Sequence, residues 1–173
     1  MPISVTAQIP NGSIEILDAG NPADIRLRLR RDPGPDQLAI GYYHFQVTGA
    51  RGNQCTYRIV DVGTDAQARL AGRDDYEDGW TNTGPHVSYD RRYWFRIPGH
   101  MEGRDYVFTH TPDHDVCYYA RWAPYPVTRE LELIGRCAQS PRVRVATLCK
   151  SVAGMDVNLL TIGEPASGKR CVG

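Results

Sequence analysis

The sequence has little lysine, no net charge, no long hydrophobic run and no pairing pattern among its cysteines. Its 20 basic residues balance 20 acidic ones, so no charge excess would attract nucleic acid or an anionic membrane surface. The basic residues are nearly all arginine, the exceptions being Lys150 and Lys169. No apolar stretch approaches the ~20 residues that a membrane-spanning helix needs, and the first residues lack the basic and apolar segments of a signal peptide. We expect neither a nucleic-acid nor a membrane partner.

The five cysteines are an odd number, are widely spaced and include no Cys-x-x-Cys pair. This pattern is neither a disulfide framework nor a zinc knuckle. A reducing, cytoplasmic compartment suits such thiols, which then act as small buried apolar groups. Cys117, between Val116 and Tyr118 in a strand-like run, is accordingly predicted to be a core residue rather than a nucleophile.

Motifs that would mark a self-contained active site are missing as well. There is no Gly-x-Ser-x-Gly elbow, no phosphate-binding loop and no dinucleotide-binding glycine pattern. His110 and His114 have the spacing of zinc ligands on a helix, but Pro112 and Asp113 between them indicate a turn. The acidic run 74–78 lacks the ligand spacing of a calcium loop and is typical of a solvated surface. The sequence therefore predicts no catalytic residue, no metal ligand and no cofactor in this chain.

Short strand patterns dominate the first 125 residues. Ile25, Leu27 and Leu29 alternate with arginines, as a half-buried strand requires. Further runs, separated by glycine and proline turns, are rich in aromatic and β-branched residues. They cover residues 14–16, 42–47, 56–60, 93–97, 106–109 and 117–122. Many short strands with such turns are typical of an antiparallel sandwich or barrel, and a longer surface loop is predicted at 63–88.

The pattern changes after Pro126, where a helical period replaces the alternation of strands. Thr128 is predicted to cap a helix, and apolar residues at three-to-four spacing form its inner face. These residues are Leu131, Ile134 and Cys137 or Ala138. Pro141 is expected to end the helix.

Two further strands are predicted at 143–148 and 157–162, joined by a turn through Gly154. Without neighbours, these strands would leave apolar edges that pair, swap or aggregate. The predicted fold class is therefore mainly β. It consists of an antiparallel β-sandwich at 1–126, a linker helix at 127–141, and a strand pair at 142–173 that begins a second domain.

One segment differs from the others in composition. Residues 88–98 contain four aromatic side chains and three arginines. A half-buried strand here would point Tyr93 and Phe95 inward. Trp94 and Arg96 would then lie outside, and exposed tryptophan and arginine are favoured at the centre of protein interfaces. The segment is therefore a candidate docking surface.

Eight stretches carry a resemblance to a known family. They are Leu-Arg-Leu-Arg-Arg-Asp at 27–32, Phe-Gln-Val-Thr-Gly-Ala-Arg-Gly at 45–52, Asp-Gly-Trp at 78–80, Ser-Tyr-Asp-Arg at 88–91, Trp-Phe-Arg-Ile-Pro at 94–98, Ala-Pro-Tyr at 123–125, Gln-Ser-Pro-Arg-Val at 139–143 and Leu-Leu-Thr-Ile-Gly-Glu-Pro at 159–165. In this order they resemble the M14-type cytosolic carboxypeptidases, zinc exopeptidases with an amino-terminal β-sandwich. The resemblance implies a sandwich domain, a linker helix and, at 142–173, the first strands of a truncated α/β carboxypeptidase domain.

The resemblance also implies what the chain would do. In the family, a His-Pro-Gly-Glu motif beyond the matched part supplies the first zinc ligands, and a zinc-bound water attacks the last peptide bond. No position of this chain corresponds to those ligands, so it would be an accessory domain, inactive by itself. Its partner would be the catalytic domain, and the full enzyme would act on peptide or protein carboxy-termini. Candidate contact residues are Arg91, Trp94, Arg96 and Tyr125.

Two alternatives from other functional classes stay open. The first is a free-standing β-sandwich module that binds peptides or glycans through Trp80, Trp94 and Trp122, an analogy at the level of the fold. The second is a hydrolase that uses His110, His114 and nearby carboxylates. Binding to a glycan or peptide array would favour the first, and stoichiometric zinc would favour the second.

Overall fold

The computed structural model describes residues 2–30, 41–62, 80 and 83–163, which divide into two compact units. Unit 1 is Met1–Pro124 and unit 2 is Tyr125–Gly173. The described part of unit 1 forms two sheets of short strands, and that of unit 2 forms a helix followed by two strands. Within these ranges no helix combines the length and hydrophobicity of a membrane span. The acidic run of the sequence lies outside the described residues.

The first sheet of unit 1 has five strands, all paired antiparallel. They are β1 (Ser4–Thr6), β4 (His44–Thr48), β6 (His86–Ser88), β7 (Phe95–Arg96) and β10 (Val116–Ala120). Their order across the sheet is β1-β4-β10-β6-β7. The last strand of the unit, β10, therefore lies at the centre of the sheet between strands from earlier in the chain.

The second sheet also has five strands. They are β2 (Glu15–Asp18), β3 (Ile25–Arg28), β5 (Cys55–Val60), β8 (His100–Glu102) and β9 (Asp105–His110). Their order is β2-β3-β5-β9-β8, and all pairs are antiparallel except β3 with β5. That pair is parallel because the chain passes through β4 of the first sheet between them, the kind of crossover that a parallel pair requires.

The two sheets pack face to face through aromatic side chains. The ring centroids of Tyr57 on β5 and Tyr119 on β10 lie 4.8 Å apart, and the Tyr57 hydroxyl donates to that of Tyr119 at 3.3 Å. Phe45 on β4 stacks on Tyr119 with 5.2 Å between centroids. All three side chains are fully buried. The predicted mainly β sandwich fold is confirmed.

Residue alternation in β3 matches the prediction from sequence. Ile25 and Leu27 are buried in the core, whereas Arg26 and Arg28 face solvent. Cys117 is also buried, as its apolar neighbours on β10 predicted. Ile25, Leu27 and Cys117 belong to one continuous hydrophobic core that both sheets share.

Arg58 of β5 binds three carboxylates on the solvent side of the second sheet. Its nitrogen atoms lie 3.0 Å from Asp24, 2.9 Å from Glu102 and 3.6 Å from Asp105. The interaction with Arg58 lowers the pKa of the Glu102 carboxyl. Because these carboxylates come from β8, β9 and the residue before β3, the cluster connects three strands of the sheet with the segment that leads into β3.

The surface loop predicted at 63–88 is wrong in two described parts of the chain. His86–Ser88 is strand β6, and Trp80 is only 1% exposed. The Trp80 ring stacks on Tyr43 at 6.1 Å and packs against Tyr106 at 5.1 Å. A single large aromatic residue among polar and glycine residues carries no periodic signal, so its burial could not be predicted from the pattern.

Unit 2 begins with helix α1 (Val127–Cys137). The predicted cap at Thr128 is wrong, because the N-cap is Pro126 and no side chain caps the helix. The Pro126 carbonyl accepts the N–H groups of Arg129 at 2.9 Å and Glu130 at 3.2 Å. The helix has therefore already begun when the chain reaches Thr128.

Two antiparallel strands follow the helix. They are β11 (Val143–Lys150) and β12 (Asp156–Ile162). Val145 lies opposite Leu160, and the next pair is Ala146 with Leu159. Adjacent pairs of a ladder point to opposite faces. Both faces of this hairpin are consequently apolar.

Most of the apolar side chains that the structure describes in unit 2 are exposed. Leu131 on the helix is 54% exposed, and Leu148 and Ile162 on the hairpin are 64% and 74% exposed. The predicted inner face of the helix is half-buried only at Ile134 and Cys137. A two-stranded sheet with one helix cannot cover two apolar faces, and such a hairpin is marginally stable by itself.

Candidate functional site

The register of the first sheet brings four residues into one row on its outer face. His44 pairs with Ala120, Ala120 with His86, and His86 with Arg96. Because Tyr119 points into the core, its neighbour Ala120 and the residues paired across from it face outward. We call His44, Ala120, His86 and Arg96 the outer row. It runs from β4 to the edge strand β7.

His86 and Arg96 form a hydrogen-bonded pair at the edge of this row. Arg96 Nε donates to His86 Nε2 at 3.2 Å, and His86 Nδ1 donates to the Arg121 carbonyl at 2.9 Å. With Nε2 as acceptor and Nδ1 as donor, this arrangement corresponds to the tautomer that carries its proton on Nδ1. The Arg96 side chain is exposed. Its guanidinium is thus oriented through Nε.

The loop between β6 and β7 is organised by Asp90. The Asp90 carboxylate accepts the backbone N–H groups of Arg92 and Tyr93, both at 2.8 Å. These two hydrogen bonds lower the pKa of the Asp90 carboxyl. Arg91 has a left-handed backbone with a φ of 62°, a conformation that breaks the alternation of a strand. The segment is therefore a turn that folds over the outer face of the sheet.

This turn changes the predicted exposure of two aromatic residues. Tyr93 was expected inside and is 72% exposed, whereas Trp94 lies on the outer face as expected but is half-buried there. The prediction is wrong for Tyr93 because regular strand geometry begins only at Phe95. The Trp94 ring meets the His44 ring edge-on, with 5.9 Å between centroids. Trp94 covers the outer row rather than projecting from it.

His44, like His86, is a residue of this site that the sequence did not indicate. It is fully buried, its Nδ1 lies 3.2 Å from the Asn11 carbonyl, and its Nε2 has no hydrogen-bond partner among the described residues. Burial lowers the pKa of His44 to about 4; the hydrogen bond to Asn11 opposes this shift and the charge of Arg91 adds to it. The imidazole is therefore neutral at physiological pH.

Arg91 and Tyr125, the other predicted contact residues, lie in different units. Arg91 donates from Nη2 to the Pro10 carbonyl at 3.3 Å, and its guanidinium lies 5.6 Å from the centre of the Tyr118 ring. Tyr125 belongs to unit 2, is 52% exposed, and lies 5.2 Å from the guanidinium of Arg129. Three of the four predicted residues thus share the outer face of the first sheet.

The three tryptophans do not form one exposed aromatic surface. Trp80 is buried and Trp122 is 52% exposed. They lie on the guanidinium of Arg121, with 3.6 Å and 4.9 Å between its carbon and the ring centres. Trp94 packs on His44 instead. A binding platform built from all three rings is not supported by this arrangement.

The two histidines with zinc-like spacing have other contacts. His110 Nδ1 lies 2.9 Å from the Tyr119 hydroxyl, and the His114 ring packs edge-on against Tyr89 at 4.6 Å. In the part of the chain that the structure describes, no group of three or more histidine, cysteine, aspartate or glutamate side chains could hold a metal ion. Zinc therefore does not fit any set of described residues.

Comparisons of sequence match this chain to one family model and to two proteins. The family model of the cytosolic carboxypeptidase N-terminal domain matches residues 5–122. An uncharacterised protein of Zymomonas mobilis is 28% identical over 173 residues, covering 99% of this chain and 41% of that protein. Cytosolic carboxypeptidase 2 of Xenopus tropicalis is 31% identical over 98 residues, which are 51% of this chain and 10% of that protein.

Comparisons of structure agree with those of sequence. The metallo-carboxypeptidase from Burkholderia cenocepacia matches with a TM-score of 0.80 and 31% identity, over 96% of this chain and 41% of that one. The metallo-carboxypeptidase from Pseudomonas aeruginosa, solved in complex with (2-guanidinoethylmercapto)succinic acid, matches with a TM-score of 0.74 and 27% identity, over 95% and 41%. The chain thus spans about two fifths of the length of these solved structures.

Proposed function

The chain belongs to the family of cytosolic carboxypeptidase N-terminal domains, and on that premise we propose that it is the accessory domain of a zinc metallocarboxypeptidase, inactive by itself. The proposed role is to stabilise a catalytic domain and to shape the rim of its substrate cleft. The catalytic domain carries the zinc and removes residues from the carboxy-termini of peptides or proteins in the cytoplasm.

The observation that carries this proposal is the apolar hairpin of unit 2. Val145 and Leu160 lie on one face, Ala146 and Leu159 lie on the other, and large side chains on both strands are exposed. Strands that are apolar on both faces are typical of α/β domains, where helices cover the sheet from both sides. The hairpin and helix α1 are therefore proposed to be the first elements of a larger carboxypeptidase domain.

The outer face of the first sheet is the proposed contact surface for that domain. Arg91, Trp94 and Arg96 lie there, and arginine and tryptophan are the residues that most often dominate binding energy at interfaces. Tyr125 is proposed as a further contact because it is half-exposed directly after the end of unit 1. None of these residues is assigned a role in the chemistry itself.

A chimera tests the accessory role. The chain would replace the corresponding amino-terminal part of the Burkholderia cenocepacia metallo-carboxypeptidase, with the intact relative and the relative without that part as controls. We expect the zinc-loaded chimera to release carboxy-terminal residues from a peptide mixture, and unit 1 to unfold at a higher temperature than in the isolated chain. A folded chimera in which unit 1 unfolds as it does alone would contradict the proposal.

A further inference from the structure

The outer row ends in an arginine that is hydrogen-bonded to His86 and has no ion-pair partner among the described residues. Arg96 is bound through Nε to His86, and it forms no other hydrogen bond or ion pair with the described residues. Its terminal nitrogens offer the planar pair of N–H groups that matches a carboxylate. Because the side chain is already fixed on one side, binding an anion there loses less rotamer freedom than at a mobile arginine.

The support beneath Arg96 is rigid. His86 is held by the carbonyl of Arg121 and pairs with Arg96 across β6 and β7. The start of this strand pair is close-packed, because a β-carbon at Gly84 would collide with the carbonyl of Ile97. A backbone approach of this kind needs glycine. The position of the Arg96 guanidinium is therefore determined by the sheet rather than by solvent.

The charge around Arg96 favours an anionic partner. Between residues 90 and 96 the charged groups are three arginines and Asp90. The Asp90 carboxylate accepts backbone N–H groups of its own turn, and it forms no ion pair with Arg96. An excess of positive charge on a surface favours a partner of negative charge over one of positive charge.

The position of the outer row in the chain indicates which partner this is. Ala120 lies inside the row, and unit 1 ends four residues later at Pro124. Four residues span at most about 14 Å, so any domain that follows in the same chain is tethered near Arg96. A tether of that length raises the effective concentration of a group on that domain well above that of a free ligand.

We propose that Arg96, positioned by His86, binds a surface carboxylate of the carboxypeptidase domain through its paired terminal N–H groups. The inference rests on the proposed function and adds the chemistry of one contact to it. Arg96 makes the contact, and His86 is a positioning residue that holds the guanidinium in place. The proposed ligand of Arg96 is a carboxylate side chain on the surface of the catalytic domain. The experiments below distinguish it from a free acidic peptide.

The test compares charge variants of unit 1 in the chimera and in the isolated chain. Arg96→Glu is expected to lower the unfolding midpoint of unit 1 in the chimera by about 3 °C or more, and by about 1 °C or less in the isolated chain. Arg92→Glu, at an exposed arginine of the neighbouring turn, is the matched control and should change neither midpoint by more than about 1 °C. The decrease in midpoint caused by Arg96→Glu in the chimera should become smaller as sodium chloride is raised to about 0.5 M, because salt screens an ion pair.

A second measurement tests the positioning role of His86 in the isolated chain. The Arg96 Nε–H signal in nitrogen-15 NMR spectra should exchange slowly with water and lose that protection in His86→Phe. His86→Phe should also reduce the Arg96 effect in the chimera.

Three outcomes would overturn the inference. An equal effect of Arg96→Glu in both contexts would show that the contact lies within unit 1, and a small effect in both would show that no partner carboxylate is bound. Tight binding of a glutamate-rich peptide to the isolated chain, lost in Arg96→Glu, would identify a separate ligand instead. Trp94→Ala distinguishes the two proposals. If Trp94→Ala lowers the unfolding midpoint of unit 1 more in the chimera than in the isolated chain, and Arg96→Glu does not, the carboxylate contact is wrong while the accessory role stands.

Discussion

Phe45→Ala is expected to lower the free energy of unfolding of unit 1 by about 3–5 kcal/mol. Phe45 is fully buried and contacts aromatic rings from both sheets: its centroid lies 5.2 Å from Tyr119, 5.8 Å from Tyr57 and 6.2 Å from Tyr43. Removing the ring leaves a cavity that the surrounding rings cannot fill without leaving their rotamers. The loss is a large part of the ~5–15 kcal/mol that holds a domain folded.

Urea unfolding monitored by tryptophan fluorescence measures this effect. All three tryptophans lie in unit 1, so the signal reports that unit and not unit 2. The matched control is Tyr93→Ala, which removes an aromatic ring that is 72% exposed and should change stability by about 0.5 kcal/mol or less. Similar losses in the two variants would contradict the position of Phe45 at the centre of the sandwich.

The second large effect is a loss of stability at mildly acidic pH caused by His44. Its pKa is about 4 in the folded chain and 6.5 as an unperturbed side chain, so the unfolded state binds the proton first. Stability is therefore complete above about pH 6.5, falls as the pH decreases, and has lost about 3 kcal/mol below pH 4. Between pH 7 and pH 5 the expected loss is about 2 kcal/mol.

His44→Asn isolates this contribution. The asparagine amide can donate to the Asn11 carbonyl, as His44 Nδ1 does, but it does not titrate. The pKa of His110 is also lowered by burial, and that contribution is present in both proteins and cancels in the comparison. We expect urea unfolding at pH 7 and pH 5 to show a pH-dependent loss in the parent chain that is about 2 kcal/mol larger than in the variant. Equal losses would mean that His44 is not buried in its neutral form.

Several parts of the fold could be predicted because they follow a simple period. In β3, two residues with no exposure alternate with two arginines in solvent, and period two is the direct signature of a half-buried strand. Cys117 follows the same logic on β10. The carboxypeptidase resemblance rested on the order of eight short stretches, and the family match over 5–122 confirms it.

The candidate site could be predicted only in part, because turns and strand pairing decide it. Arg91 adopts a left-handed backbone, so the strand alternation assumed for Tyr93 and Trp94 fails in the turn before β7. His86 and Arg96 are ten residues apart and meet only through the register of two short strands. His44 is buried by a ring that comes from another part of the chain. Sequence periodicity carries no information about such contacts.

The metal content of the isolated chain tests most directly the claim that its function is accessory. The chain would be loaded with zinc, dialysed and measured by elemental mass spectrometry, with the intact Burkholderia cenocepacia relative as the positive control. This measurement covers every residue, including the acidic run 74–78 and the pair His110 and His114. We expect near-zero zinc in the chain and stoichiometric zinc in the relative. One zinc bound per chain would contradict the proposal and would place a metal centre, and the question of peptidase activity, within this chain itself.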